Sequence, residues 1–169
     1  MYAESIKFSP ANGSKVPSVS FDFEGQVFDH PVELGVEAAE QFQSDVEAFL
    51  VKFLKASREG DKEIFVNLYA PNDRIKMQEF VDGDLWERNV SVAKSETSAK
   101  LLAVINYGDY FLCIVVSKYN NFDDFSELVY PVLKTSSGEL FMSQDLGADS
   151  FVSKYAFLLA NELTNRKLR

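Results

Sequence analysis

The feature that most constrains the fold is a pair of turns in the second half of the chain, each flanked by two apolar runs of strand length. The turns lie at residues 106–109 and 135–138, and each contains a glycine. Short glycine-containing loops between such runs are typical of β-hairpins, so the sequence predicts two antiparallel hairpins in series. Their strands are residues 101–105 with 110–116 and residues 128–133 with 139–142.

A helical pattern precedes the hairpins. Apolar residues recur at spacings of three and four over residues 39–54, which predicts a long amphipathic helix. Proline is common at the first helical position, so Pro31 after His30 is the predicted start. The helix is predicted to end near Ser57.

The region after this helix is less uniform. Gly60 suits the left-handed residue that ends a helix, and Asp61 suits the cap of a short second helix. Residues 72–87 fit a short helix and a connecting loop equally well. Val90 and Val92 alternate with polar residues, which is typical of a strand.

The two ends of the chain differ in character. Residues 1–18 are predicted to be an irregular lead-in, because turn-forming residues are concentrated there. Residues 19–23 alternate as in a short edge strand. Apolar residues at helical spacing over 151–163 predict a terminal helix that ends in the basic residues 166–169. The predicted domain therefore covers residues 19–169.

The composition is that of one acidic, folded domain. The chain has 169 residues, of which 46% are hydrophobic and 25% are charged, and these values suit a single globular domain. Its 26 Asp and Glu against 17 Lys and Arg give a formal charge of -9. Because this charge repels phosphate groups, we expect no nucleic-acid partner and no binding to anionic membranes.

Few residues are suited to metal or redox chemistry. Cys113 is the only cysteine and His30 is the only histidine, so we expect no intrachain disulfide, no metal site and no cofactor. No apolar run approaches the roughly 18 residues of a membrane span. Residues 1–5 lack the basic and apolar regions of a leader, which predicts a soluble cytoplasmic protein, or a periplasmic one if a leader has been removed.

Together these patterns predict an α+β fold, in which a curved antiparallel sheet of four to six strands wraps around the long N-terminal helix and a further helix follows at the C-terminus. Residues 111–116 are apolar on both faces of their strand. Both faces of the sheet must therefore be covered. The helices within residues 31–70 are expected to cover one face, and the terminal helix or a second copy of the chain is expected to cover the other.

The segments FLKASREGDKE at 53–63 and VNLYAPND at 66–73 carry a resemblance to a known family. They resemble the nuclear-transport-factor-2-like, or cystatin-like cone, superfamily, whose members often open with a long helix, a Gly-Asp pair and a short helix ending near Leu-Tyr-x-Pro. The chain departs from that pattern after Asp73 and in its terminal helix. The resemblance implies a curved sheet around a conical cavity and a homodimer through the sheet face. Members of the superfamily include isomerases, dehydratases, ligand binders and protein-interaction modules.

No catalytic residue is predicted, because the strands at 101–105 and 110–116 carry no interior carboxylate on either face. Tyrosine and tryptophan combine an apolar ring with a polar tip, so they suit a ligand in a largely apolar pocket and equally suit the core. An arginine beside Asp73 is either an anion contact at the cavity or part of an exposed pair. The predicted ligand-binding residues are Tyr69, Arg74, Trp86, Tyr107, Tyr110 and Tyr130.

Three functions remain open from the sequence. The first is a non-catalytic domain that binds a small apolar molecule or a protein. The second is an isomerase- or dehydratase-like enzyme, which requires a titratable group deep in its cavity. The third is an acidic inhibitor or immunity-like protein, which requires a filled core and an exposed acidic patch. A hollow interior would favour the first two functions, whereas a filled core would favour the third.

Overall fold

The computed structural model describes residues 2–7, 20–34, 42, 44–120, 122–149 and 155–168. They form an α+β fold whose antiparallel sheet has its six strands in chain order. The strands are β1 (Tyr2–Lys7), β2 (Ser20–Glu33), β3 (Glu96–Tyr107), β4 (Tyr110–Tyr119), β5 (Ser126–Lys134) and β6 (Leu140–Met142). The helices are α1 (Asp45–Glu59), α2 (Lys62–Asn67), α3 (Arg74–Asp82), α4 (Leu85–Lys94) and α5 (Phe157–Leu168). The predicted α+β class, the antiparallel sheet and the C-terminal helix are confirmed.

Both predicted hairpins are confirmed. The β3–β4 pair closes at Tyr107 opposite Tyr110, and the β5–β6 pair closes at Lys134 opposite Leu140. Gly108 in the first turn has φ 59° and Gly138 in the second has φ 88°. Glycine adopts this left-handed backbone without the steric cost of a Cβ atom, so each turn sequence specifies its hairpin locally.

The predicted helix start at Pro31 is wrong. His30 and Pro31 lie in β2, and α1 begins fourteen residues after Pro31, at Asp45. Proline has no N–H for a β ladder, and here it lies where the β2–β3 register shifts, between Val27 and Val32. Ser44 caps α1, because its hydroxyl accepts a hydrogen bond from the backbone N–H of Glu47 at 3.3 Å.

The junction between α1 and α2 forms as predicted. Gly60 ends α1 with φ 74°, and the Asp61 carboxylate accepts a hydrogen bond from the backbone N–H of Ile64 at 2.9 Å. The undecided region 72–87 contains α3 and the start of α4, with a short turn between them at residues 83–84. The strand predicted at Val90 and Val92 is wrong, because both residues lie in α4. Two alternating residues are too short a pattern to distinguish a strand from a helix.

The sheet separates two apolar layers. Helices α1 to α4 pack on one face of the sheet and α5 packs on the other. A β-bulge at Leu102 decides which residues face each layer, since Leu101 pairs with Val115 whereas Ala103 pairs with Ile114. Leu101 therefore faces α1 to α4, while Leu102 and Ala103 face α5. The bulge therefore interrupts the alternation that would otherwise place Leu101 and Ala103 on one face.

The sheet is not strongly curled, and the prediction that it wraps around α1 is not confirmed. Instead α1 packs mainly on α2 and α4, and the helices form a layer of their own. In that layer Trp86 is 1% exposed, with its ring centroid 4.9 Å from that of Phe65. Because these aromatic side chains pack against one another, the helices bury apolar surface without a closed cone of strands.

The terminal helix covers the second face of the sheet. Leu159, Ala160 and Leu163 of α5 are buried against Leu112 and Ile114 of β4. A second copy of the chain would have to pack over α5 or displace it, and the homodimer stays a prediction. Within the described ranges, no helix is long and apolar enough to cross a membrane.

The N-terminal segment contains regular structure. Tyr2–Lys7 forms β1, which pairs with β2 from Gly25 back to Ser20. This part of the predicted irregular lead-in at 1–18 is therefore a strand, and residues 8–18 lie outside the described residues. Val19, the first residue of the predicted edge strand, also lies outside them, and the remainder of that strand belongs to β2.

Candidate functional site

A cavity of about 300 Å³ lies between the helix layer and the sheet. Helices α1 to α4 contribute side chains to its walls, as do the first residue of β3, the end of β4 and the middle of β5. The lining combines aromatic and polar side chains. The aromatic ones are Phe53, Phe65, Tyr69, Phe80, Tyr119 and Tyr130, and the polar ones are Ser57, Arg58, Asn89, Glu96 and Gln144.

Phe53 organises the aromatic wall. Its ring centroid lies 5.2 Å from that of Phe65, 5.8 Å from that of Tyr69 and 5.7 Å from that of Tyr130. The contact with Phe65 is stacked and the two tyrosine contacts are edge-on, which are the favourable arrangements for aromatic pairs. Phe53 therefore connects α1 both to the α2 region and to β5, and the wall offers flat apolar surface to a ligand.

The polar wall contains a buried ion pair. Arg58 Nη1 in the last turn of α1 donates a hydrogen bond to Glu96 Oε2 at the start of β3, at 3.0 Å. The side chains are 12% and 5% exposed. Nearby, the Asn89 amide of α4 donates to the Ser57 hydroxyl at 3.0 Å. This polar wall thus joins α1 to α4 and to the sheet.

The pKa of Glu96 is set by burial and by its polar neighbours. Burial raises the pKa of its carboxyl group above the ordinary value, and this effect outweighs the Arg58 charge and the Ser117 hydroxyl, which lower the pKa. The Ser117 hydroxyl is itself buried beside Glu96. A carboxyl group with a raised pKa in a cavity is a feature shared by many functional sites.

The tyrosines of the cavity remain neutral phenols. Burial raises the pKa of Tyr69 and of Tyr130 well above the ordinary phenol value, and the Asp73 carboxylate adds to the effect on Tyr69. Burial also raises the pKa of Tyr119, and Glu96 adds to it. Around neutral pH these side chains donate and accept hydrogen bonds but carry no charge.

The cavity brings together two of the six predicted ligand-binding residues, Tyr69 and Tyr130. Trp86 does not line it, but packs behind the wall against Phe65 and Phe80. Arg74 also lies outside the lining. Its guanidinium donates to the backbone carbonyls of Tyr69 at 3.1 Å and of Asn67 at 3.2 Å, and it lies over the ring of Phe141.

The remaining two predicted residues pack against the apolar layer beside α5, and their hydroxyl groups bond to acidic side chains after β6. Tyr107 donates to Asp149 Oδ2 at 3.0 Å, and Tyr110 donates to Asp145 Oδ2 at 3.2 Å. Their predicted membership in one site with Tyr69 is not supported by this geometry. Tyr110 borders a separate, open groove at the β3–β4 turn.

The pattern analysis missed three residues of the polar wall and its surroundings: Arg58, Glu96 and Tyr119. Glu96 and Tyr119 face each other across β3 and β4, at the ends of these strands beyond the apolar runs that predicted them. The expectation of no interior carboxylate concerned residues 101–105 and 110–116, and Glu96 lies before the first of these runs. Residues 96–98 are all polar and residues 117–118 are Ser-Lys, so no alternation of polar and apolar residues marks either position in the sequence.

Cys113 lies in the apolar strand β4. It is fully buried, and burial raises the pKa of its thiol. Across the described ranges, no group of three or more His, Cys, Asp or Glu is placed to hold a metal ion. No protein-family model, curated protein or solved structure matches the chain.

Proposed function

We propose that this protein binds a small, largely apolar ligand in the cavity between the helix layer and the sheet. The observation that carries this proposal is a cavity of about 300 Å³ with the aromatic wall around Phe53 on one side and the Arg58–Glu96 pair at another. A volume at this scale and a mostly apolar lining with a few polar groups are typical of small-molecule sites. We also propose that the chain is a member of the cone-like superfamily that the segment around Gly60 and Asp61 resembles, since that superfamily includes ligand binders.

Blocking the cavity tests the proposal. Ala93 of α4 lines the cavity, whereas Ser91 on the same helix is exposed. Ala93→Phe places a ring in the cavity, and Ser91→Phe adds the same ring to the surface. Toluene serves as a neutral aromatic probe, and the fluorescence of the single tryptophan, Trp86, reports on the neighbouring wall.

We expect toluene to change the Trp86 emission and to bind in ligand-observed NMR with the wild-type protein and with Ser91→Phe. We expect no binding with Ala93→Phe. Binding that persists in Ala93→Phe, with the variant folded, contradicts this location. An absence of binding to the wild-type protein contradicts the proposal for aromatic ligands of this size.

A second candidate is an isomerase- or dehydratase-like enzyme, and one observation favours it. Glu96 places a carboxyl group with a raised pKa on the cavity wall, as proton abstraction from an organic substrate requires. Acetophenone in deuterated water tests this function. The carboxylate would take a methyl proton to give the enolate, and a deuteron from solvent would then add to the same carbon. We expect faster deuteration with the wild-type protein than with Glu96→Gln, and equal rates contradict the enzyme.

A further inference from the structure

The Arg58–Glu96 pair narrows the ligand class. We propose that the cavity selects a neutral aromatic primary carboxamide, whose carbonyl oxygen accepts from the Arg58 guanidinium and whose amide N–H donates to the Glu96 carboxylate. This inference rests on the proposed function, since it takes the cavity as the binding site. It goes beyond that function by naming the polar group of the ligand and the two side chains that recognise it.

The pair keeps hydrogen-bonding capacity toward the cavity. A guanidinium has five N–H donors and a carboxylate has two acceptor oxygens. Among the described residues one hydrogen bond, from Nη1 to Oε2, joins Arg58 and Glu96, and both residues line the cavity. A donor group and an acceptor group therefore lie side by side, and a carboxamide carries the complementary acceptor and donor on one carbon.

The charges of the pair disfavour ionic ligands. Arg58 and Glu96 are the only residues of the described lining that carry a formal charge near neutral pH, and these charges have opposite signs. A ligand carboxylate would gain from Arg58 but meet repulsion from Glu96, and an ammonium group would meet the reverse. At 12% and 5% exposure the two side chains are weakly screened by water, so this discrimination is retained.

The walls around the pair favour a planar ring and a hydrogen-bonding group on the same molecule. Phe53 and Tyr130 present ring surfaces at an edge-on angle of 66° to each other. A purely apolar ligand would leave the polar wall unmatched.

Four probes of similar size test the inference at pH 7: benzamide, benzoate, benzylamine and toluene. Ligand-observed NMR and Trp86 fluorescence measure their dissociation constants with the wild-type protein. We expect benzamide to bind at least about tenfold more tightly than each of the others, since hydrogen bonds to charged groups are worth about that factor or more. We expect Ala93→Phe to abolish binding of benzamide, and Ser91→Phe to leave it unchanged.

Two variants change the preference in opposite directions. Glu96→Gln leaves a cation in the wall, so benzoate should become the tightest of the four probes. Arg58→Gln leaves an anion, so benzylamine should become the tightest. Circular dichroism checks that each variant folds, and if either fails to fold, the ranking of the probes with the wild-type protein still decides.

The outcomes distinguish this inference from the proposed function. If toluene, benzoate or benzylamine binds the wild-type protein as tightly as benzamide, and Ala93→Phe blocks it, the carboxamide inference is overturned and the cavity remains the site. Benzamide binding that Ala93→Phe does not affect overturns the inference as well. If none of the four probes binds, both the inference and the proposed function are overturned.

Discussion

Arg58 and Glu96 are 38 positions apart in the sequence, yet Arg58 Nη1 lies 3.0 Å from Glu96 Oε2 and links the end of α1 to the start of β3. Both side chains are largely buried. The pair therefore fixes the helix layer on the sheet at the polar wall of the cavity. An ion pair in this environment is costly to break, because the remaining charge keeps the penalty of burial without its partner.

Removing the cation alone should destabilise the protein. We expect Arg58→Met to lower the free energy of unfolding by about 3 kcal/mol at pH 7, because it leaves the Glu96 carboxylate buried without a counter-charge. Urea unfolding followed by Trp86 fluorescence measures the change. The matched control is the double variant Arg58→Met, Glu96→Leu, which removes both charges and should recover most of the loss. An unfolding midpoint unchanged in the single variant contradicts this account.

The pH dependence of stability should report on Glu96. Burial raises the pKa of this carboxyl group in the folded protein above its value in the unfolded chain. Its contribution to stability is therefore complete below the unfolded pKa and is lost as the pH rises through the folded pKa. The free energy of unfolding of Glu96→Gln, relative to that of the wild-type protein, should therefore increase progressively as the pH rises from 4 toward neutral. Urea unfolding at each pH measures the difference.

A control separates this effect from the general loss of a negative charge. Glu63→Gln removes a carboxylate from an exposed position in α2. We expect its stability relative to the wild-type protein to change much less over the same pH range. Equal pH profiles for the two variants would mean that the burial of Glu96 does not determine the difference.

Gly60 should resist replacement by residues that disfavour a left-handed backbone. Its φ is 74°, and a Cβ atom there would lie 3.5 Å from Val90 Cγ2, which is ordinary contact. The cost of Gly60→Ala is therefore conformational, and we expect about 1 kcal/mol. Gly60→Asn should cost less, because asparagine tolerates this conformation. Thermal unfolding compares the two, and a tolerated alanine would show that the α1–α2 junction relaxes.

The buried face of α5 should be sensitive to charge. Leu163 is 3% exposed against the sheet, whereas Asn161 on the same helix is exposed. We expect Leu163→Asp to destabilise the protein by about 3 kcal/mol or more, because it buries an unpaired carboxylate. Displacement of α5 would expose the apolar side of β4, so the variant should also self-associate in light scattering. Asn161→Asp adds the same charge at the surface and should change neither property.

The mass of the protein in solution tests the predicted homodimer directly. Light scattering of the wild-type protein at micromolar concentration gives its mass in solution. A dimeric mass would support an interface over α5 or in place of it. A monomeric mass would contradict the homodimer.

Local chemistry made much of the fold predictable. The β3–β4 and β5–β6 hairpins depend on Gly108 and Gly138, whose conformations are specified within each turn. The α1–α2 junction likewise depends on Gly60 and Asp61, which act on backbone groups within a few residues. Where the local signal was ambiguous, as at Pro31 and at Val90 with Val92, the sequence favoured the wrong element.

The amino-acid sequence by itself determined the antiparallel hairpins, the α1–α2 junction and the need to cover both faces of the sheet, because these follow from interactions between near neighbours and from apolar patterning. Only the tertiary structure decided that a bulge at Leu102 redirects the side chains of β3, and that α5 covers the second face. The tertiary structure also decided which residues line the cavity. Tyr69 and Tyr130 meet at Phe53, and Arg58 meets Glu96, because packing brings distant segments together at distances that no local spacing encodes.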